Sequence, residues 1–187
     1  MMNRREALSR VALIMGGTVL GAEAFLSGCT SATPGLSFSK EDITFFNEIA
    51  ETILPATNTP GAKEAKVGEF MTVIVNDCYE AKDQITFMAG FTKLNEASTK
   101  ANGKSFMEAT AAQRHDLLVA LDKEAAAYQK DKKPDEQKHY FTMFKELTLW
   151  GFFSSEVGAT KALRYVAVPG RYEGSVPYKK GDKAWAT

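Results

Sequence analysis

The sequence has little cysteine, little histidine and no excess charge of either sign. Two cysteines, Cys29 and Cys78, are too few for a disulfide scaffold or a four-cysteine zinc site. The two histidines, His115 and His139, fall on separate predicted helices. A metal site built on them needs a carboxylate such as Asp116 or Glu136, and surface roles for both are far commoner. Lys plus Arg and Asp plus Glu each number 23. No dense basic patch is interleaved with aromatics, so nucleic acid is not an expected partner. Gly-x-Gly-x-x-Gly, Cys-x-x-Cys-His and a complete Gly-x-x-x-x-Gly-Lys-Ser/Thr are all missing. Their absence removes the ordinary dinucleotide fingerprint, covalent c-type haem and the phosphate loop. Glu146 and Glu156 would sit nearly three turns apart on a continuous helix and could pair as acid and base; surface or capping roles outweigh that reading. Nothing obliges a catalytic reading, so catalytic, cofactor-binding and metal residues are all expected to be none in this chain.

What is present begins with an address. Arg4-Arg5 precedes an uncharged run from Val11 to Ala22, and Leu26-Ser27-Gly28-Cys29 closes the segment. This is the basic, apolar, small-residue order of an export signal. The apolar run is too short for an ordinary membrane-spanning helix, which needs about 20 such residues. Paired arginines before a mildly hydrophobic run resemble the twin-arginine export signal, which carries folded proteins. Leu-Ser-Gly-Cys resembles a bacterial lipobox, so residues 1–28 are expected to be removed, leaving Cys29 lipidated. Thr30, not Asp, follows, which favours the outer membrane over the inner and a periplasm-facing, lipid-anchored placement in the cell envelope. The alternative is a plain N-terminal anchor helix. Residues 29–38 read as a tether, and the mature chain carries a net charge of −1, from 20 basic and 21 acidic residues. Cys78 then has no internal disulfide partner, and its place in an apolar helical run marks it as a small buried hydrophobe.

Residues 39–187 read as one all-α domain of about five helices with an irregular C-terminal arm from about residue 155. Ser39 with Asp42 three residues on predicts a helix start, with Ile43, Phe46, Ile49, Ala50 and Ile53 on one face and Pro55 ending it. Residues 56–61 are a loop. A second helix is predicted from about Val67 to Ala81, with Phe70, Val73, Ile74, Asp77 and Cys78 on a common side. A third runs to about Thr99, capped by Asp83 and carrying Ile85, Met88, Ala89, Thr92 and Leu94, with Phe87 and Phe91 as a second line. Thr110-Ala-Ala-Gln113 is a capping-box pattern opening a fourth helix to about Tyr128. The last helix is placed from near Pro134.

The most distinctive stretch runs from Glu146 to Tyr178. It begins with helical spacing at Leu147, Trp150, Gly151 and Ser154, and loses its period around Gly158. Pro169-Gly170 and Pro177 then forbid regular structure, yet the segment keeps Tyr165, Tyr172, Tyr178, Arg164 and Arg171. Disordered tails are usually poor in aromatics. Two readings stay open. The arm is a strap closing the core, with Trp150 and Phe153 inside and Arg171 tying it down. Alternatively it is a docking surface, with Trp150, Phe152, Phe153, Tyr165, Arg171 and Tyr172 as interface residues, since aromatics and arginine commonly anchor interfaces.

Two motifs carry a resemblance. Leu147-Thr-Leu-Trp-Gly-Phe-Phe-Ser-Ser-Glu-Val-Gly-Ala-Thr with Val168-Pro-Gly-Arg-Tyr-Glu-Gly, and Ile49-Ala-Glu-Thr-Ile-Leu-Pro-Ala-Thr-Asn-Thr-Pro-Gly-Ala, resemble the gluconate 2-dehydrogenase subunit 3 family. Asn58 stands where the family commonly has Asp. The resemblance spans about residues 39–180. It implies a small non-catalytic subunit that aids export, maturation and membrane association of a partner. That partner is an FAD-dependent dehydrogenase of the glucose-methanol-choline type, acting on gluconate, a glucoside or a similar sugar, often with a cytochrome c subunit carrying haem c. The chain alone is then expected to lack activity. The competing class is an independent envelope lipoprotein acting as a structural or sugar-binding module.

Overall fold

The structure, a computed structural model, describes residues 36–168 and 170–186. The predicted signal, with Arg4, Arg5 and Cys29, lies outside the described residues. The described residues form five α-helices and one π-helical turn in order: α1 Lys40–Ile53, α2 Val67–Cys78, α3 Ala81–Asn102, α4 Ala111–Asp131, α5 Tyr140–Ser154 and the π-turn Gly158–Ala162. Among the described residues the only ladder-type pairing is one isolated bridge between Arg164 and Trp185.

α1 starts where the sequence says it should. Ser39 Oγ accepts from the Asp42 amide at 3.1 Å, and the Ser39 amide donates to the Asp42 carboxylate at 2.9 Å. This reciprocal capping satisfies two otherwise orphaned donors. The helix ends before Pro55, which disfavours helical backbone in the residue ahead of it. It buries Phe45, Phe46, Ile49 and Ala50, so Phe45 takes the inward role predicted for Ile43 and Ile53, both half-buried.

α2 has a different inward face from the predicted one. Val67, Met71 and Val75 are buried, one helical turn apart, while Val73, Asp77 and Cys78 are exposed. Cys78 is therefore not a buried hydrophobe: it falls on the last turn, beyond the buried line, and faces out. The helix is seeded from α1. The Gly68 amide donates to Asn47 Oδ1 at 2.9 Å, and Asn47 Nδ2 donates to Glu69 at 3.0 Å, so a neighbouring helix caps the first turn.

α3 begins after Glu80, and Asp83 lies inside its first turn instead of capping it. A carboxylate there still suits the positive end of the helix dipole. Its core line is Phe87, Gly90, Leu94 and Ser98, and Ile85 points to solvent. α4 opens on Thr110, whose hydroxyl accepts from Gln113, with the Gln113 side chain returning to the Thr110 amide at 3.0 Å. It runs to Asp131, three residues past its expected end. α5 begins at Tyr140, not near Pro134. Pro134 lies in a turn in which the Glu136 amide bonds back to Lys133 O and the Lys133 amide bonds the Glu136 carboxylate, and His139 is the cap.

α5 is apolar nearly all round, as a central helix should be. It buries Tyr140, Phe141, Met143, Phe144, Leu147, Thr148, Gly151 and Phe152 and packs against each of α1 to α4. Phe46, Phe87 and Phe144, from three helices, meet with ring centroids 4.8–6.1 Å apart. Tilted and edge-on aromatic contacts of this kind add attraction beyond their buried area.

Candidate functional site

Both sequence motifs prove to be joints of the fold. In the first, Glu51 accepts from the Ala56 amide at 2.9 Å and from the Lys63 amide at 2.8 Å, so one carboxylate spans the loop that follows α1. A Cβ on Gly61 would collide with that carboxylate, which is why the loop needs glycine there. Glu48, one turn earlier, pairs with Lys63 and with Arg114. Arg114 also donates to Ala109 O at 3.0 Å and Met107 O at 2.9 Å in the turn before α4, so its pair with Glu48 ties α4 and that turn to α1. The loop tip from Pro55 to Asn58 stays exposed.

In the second motif, α5 stops at Ser154 and the chain turns through Ser155. Ser155 Oγ donates to Phe152 O at 2.6 Å and accepts from the Gly158 amide at 2.9 Å. Gly158 lies against the Phe152 carbonyl, where a side chain would find backbone in its way. The break in helical period is thus three residues earlier than the sequence spacing indicates, and it leads into the π-turn.

Beyond Leu163 the arm closes on itself. The Arg164 amide donates to Ala184 O at 2.8 Å, and the Ala186 amide donates to Arg164 O at 2.9 Å. The Arg164 guanidinium lies 4.2 Å from the centre of the Trp185 ring, a cation–π distance, and Lys183 reaches Lys161 O. A further turn joins Lys179 and Asp182. Between these ties, every described residue from Arg164 to Trp185 is exposed. The strap reading fails on that observation: the arm covers no core. Arg171 pairs with Glu173 inside the arm and does not hold it to the helices.

The structure sorts the six expected interface residues into two groups and removes one. Phe152 is 4% exposed and belongs to the core; the period of α5 turns it inward beside Gly151. Trp150 is 53% exposed and Phe153 41%. Trp150 sits edge-on to Phe70 of α2 at 5.2 Å, so the first group is an aromatic patch at the α2–α5 crossing. Tyr165 is 56% exposed and Tyr172 95%. Arg171 and Tyr172 line an apolar groove of about 1080 Å³ together with Val166, Val168, Val176 and Trp185. Sequence reasoning missed Phe70, Val168 and Trp185. Trp185 was the recoverable one: a tryptophan two residues after Lys183 in an irregular tail shares the signature that singled out the tyrosines.

The other sequence candidates separate. His115 lies beside Asp116 on the surface, and His139 approaches Glu124 at 3.6 Å, not Glu136. Burial lowers the His139 pKa, with Glu124 opposing, and its ring nitrogen accepts from the Phe141 amide at 3.3 Å. Burial raises the phenols of Tyr79 and Tyr140 to about 12, with Glu146 adding to the first and Glu124 to the second. Glu146 is paired with Lys138 at 2.7 Å and Glu156 is exposed beyond the helix break, so they form no acid–base pair. Gly103-Lys104-Ser105 follows the end of α3, and Ser105 bonds Glu108; a phosphate loop instead leads from a strand into a helix. Among the described residues no group of three or more His, Cys, Asp or Glu side chains is gathered as metal ligands, and no helix is long and apolar enough to cross a membrane.

The fold and the exposed arm together define a class: a small helical body that displays aromatics on an irregular C-terminal extension. The chain belongs to the gluconate 2-dehydrogenase subunit 3 family, whose model matches residues 40–170, from the first residue of α1 to Gly170 in the arm. Neither the search of curated proteins nor that of solved structures returned a match.

Proposed function

We propose that this chain is the non-catalytic small subunit of an FAD-dependent sugar or sugar-acid dehydrogenase. It accompanies the flavoprotein through export, supports its maturation and holds it at the membrane. The observation that carries this reading is the family match across all five helices and the start of the arm. Three features support it. Arg4-Arg5 fits export in the folded state, Cys29 fits a lipid anchor, and the exposed aromatics at Trp150, Phe153, Tyr165 and Tyr172 fit a surface made to be covered. The flavin belongs to the large subunit, and electrons pass from it to an acceptor such as a haem c subunit without crossing this chain.

The test is genetic and biochemical. Deleting this gene is expected to strand the partner flavoprotein in the cytoplasm and abolish sugar oxidation by the envelope. Restoring the wild-type gene is expected to return both. Labelled palmitate should enter the wild-type chain and be lost in Cys29→Ala. A flavoprotein that reaches the envelope fully active without this chain would contradict the export role. Continued labelling of Cys29→Ala would contradict the anchor.

A further inference from the structure

The charge of the molecule is divided along the chain. Lys161, Arg164, Arg171, Lys179, Lys180 and Lys183 face only Glu173 and Asp182 in residues 161–187, a net of +4. Residues 36–160 hold 14 basic and 19 acidic side chains, a net of −5. The whole-chain neutrality therefore conceals a basic arm on an acidic body. The groove lies in that basic arm, and its walls are Val166, Val168, Tyr172, Val176 and Trp185, with the Arg171–Glu173 pair at its polar side.

We infer that the groove receives a protruding acidic segment of the partner dehydrogenase, bearing an apolar side chain that seats between Tyr172 and Trp185. This rests on the subunit reading and names the chemistry of the partner surface. Three observations carry it. The groove is concave and apolar, so it fits a ridge or loop bearing an apolar side chain. At about 1080 Å³ it stands at the upper end of the size of small-ligand pockets, about 1,000 Å³, and it is open to chain entry. The opposite charges of arm and body orient an approaching acidic surface, drawing it to the arm and turning it away from the helices.

The experiment uses the full chain and the partner flavoprotein of the proposed complex, with association and dissociation rates measured at low and high salt. Lys179→Glu with Lys180→Glu alters ammonium groups that make no hydrogen bond or ion pair among the described residues, and circular dichroism checks that the helices persist. The charge variant is expected to associate at least about tenfold more slowly at low salt, with the difference shrinking towards unity as salt screens it. Tyr172→Ala is expected to leave the salt dependence alone and speed dissociation about tenfold or more. A complex whose association ignores both salt and charge reversal overturns the inference while leaving the subunit reading intact. A wild-type pair that forms no complex at any salt overturns both. Vesicles of phosphatidylcholine and phosphatidylglycerol supply the third arm. If charge reversal abolishes vesicle binding yet leaves the complex unchanged, the basic arm serves the bilayer and the inference is wrong.

Discussion

Glu51 and Gly61 act as a single device: the carboxylate collects two loop amides, and the glycine leaves room for it. Glu51→Ala gives up both bonds and leaves the exposed amides to water, and unfolding by urea should show a loss of about 1 kcal/mol. Gly158→Ala should cost at least about 1–3 kcal/mol, because the new methyl meets the Phe152 backbone, which cannot swing aside as a side chain would. His139 gives a pH signature. Its folded pKa lies below the ordinary value of about 6.5, so the unfolded chain binds the proton more readily. The stability it contributes is complete above about pH 6.5 and is lost as pH falls through the folded value. His139→Asn, which keeps a capping side chain, should flatten the acid side of a stability–pH curve relative to wild type. At this scale the sequence was a poor guide to exposure. Phe152 and Cys78 were misassigned because one residue of helical phase, about 100°, separates inside from outside, and neither residue type reveals that phase.

At the scale of the element, legibility followed local chemistry. The starts of α1 and α4 were readable because Ser39–Asp42 and Thr110–Gln113 encode their caps within four residues. Ser39→Ala and Thr110→Ala should each lower stability by about 1 kcal/mol, measured by denaturant titration. The start of α2 was not readable in this way: its cap is Asn47, 21 positions away, and that pairing exists only once α1 and α2 have packed. The start of α5 was displaced for another reason. Pro134 is equally at home opening a helix and inside a turn, and the Lys133–Glu136 bonds settle it as a turn. The inward face of α2 was obscured by its run of Val73, Ile74 and Val75, where apolar residues occur on all sides and burial is decided by the neighbours.

For the whole molecule, the all-helical body was legible from periodicity, and the family from two motifs whose residues turn out to be joints: Glu51 with Gly61, and Ser155 with Gly158. The character of the arm was not legible. Aromatics in an irregular tail suit a strap and a docking surface equally, and only the exposure of residues 164–185 separates the two. Because the arm buries no core, the body should stand without it. The decisive measurement is a chain ending at Leu163, compared with wild type for melting temperature and for co-purification with the flavoprotein partner proposed above. The account predicts a melting temperature within a few degrees of wild type and loss of the flavoprotein from the purified material. A truncated body that unfolds would restore the strap, and one that folds and retains its flavoprotein fully would show that the arm is not where the partner binds.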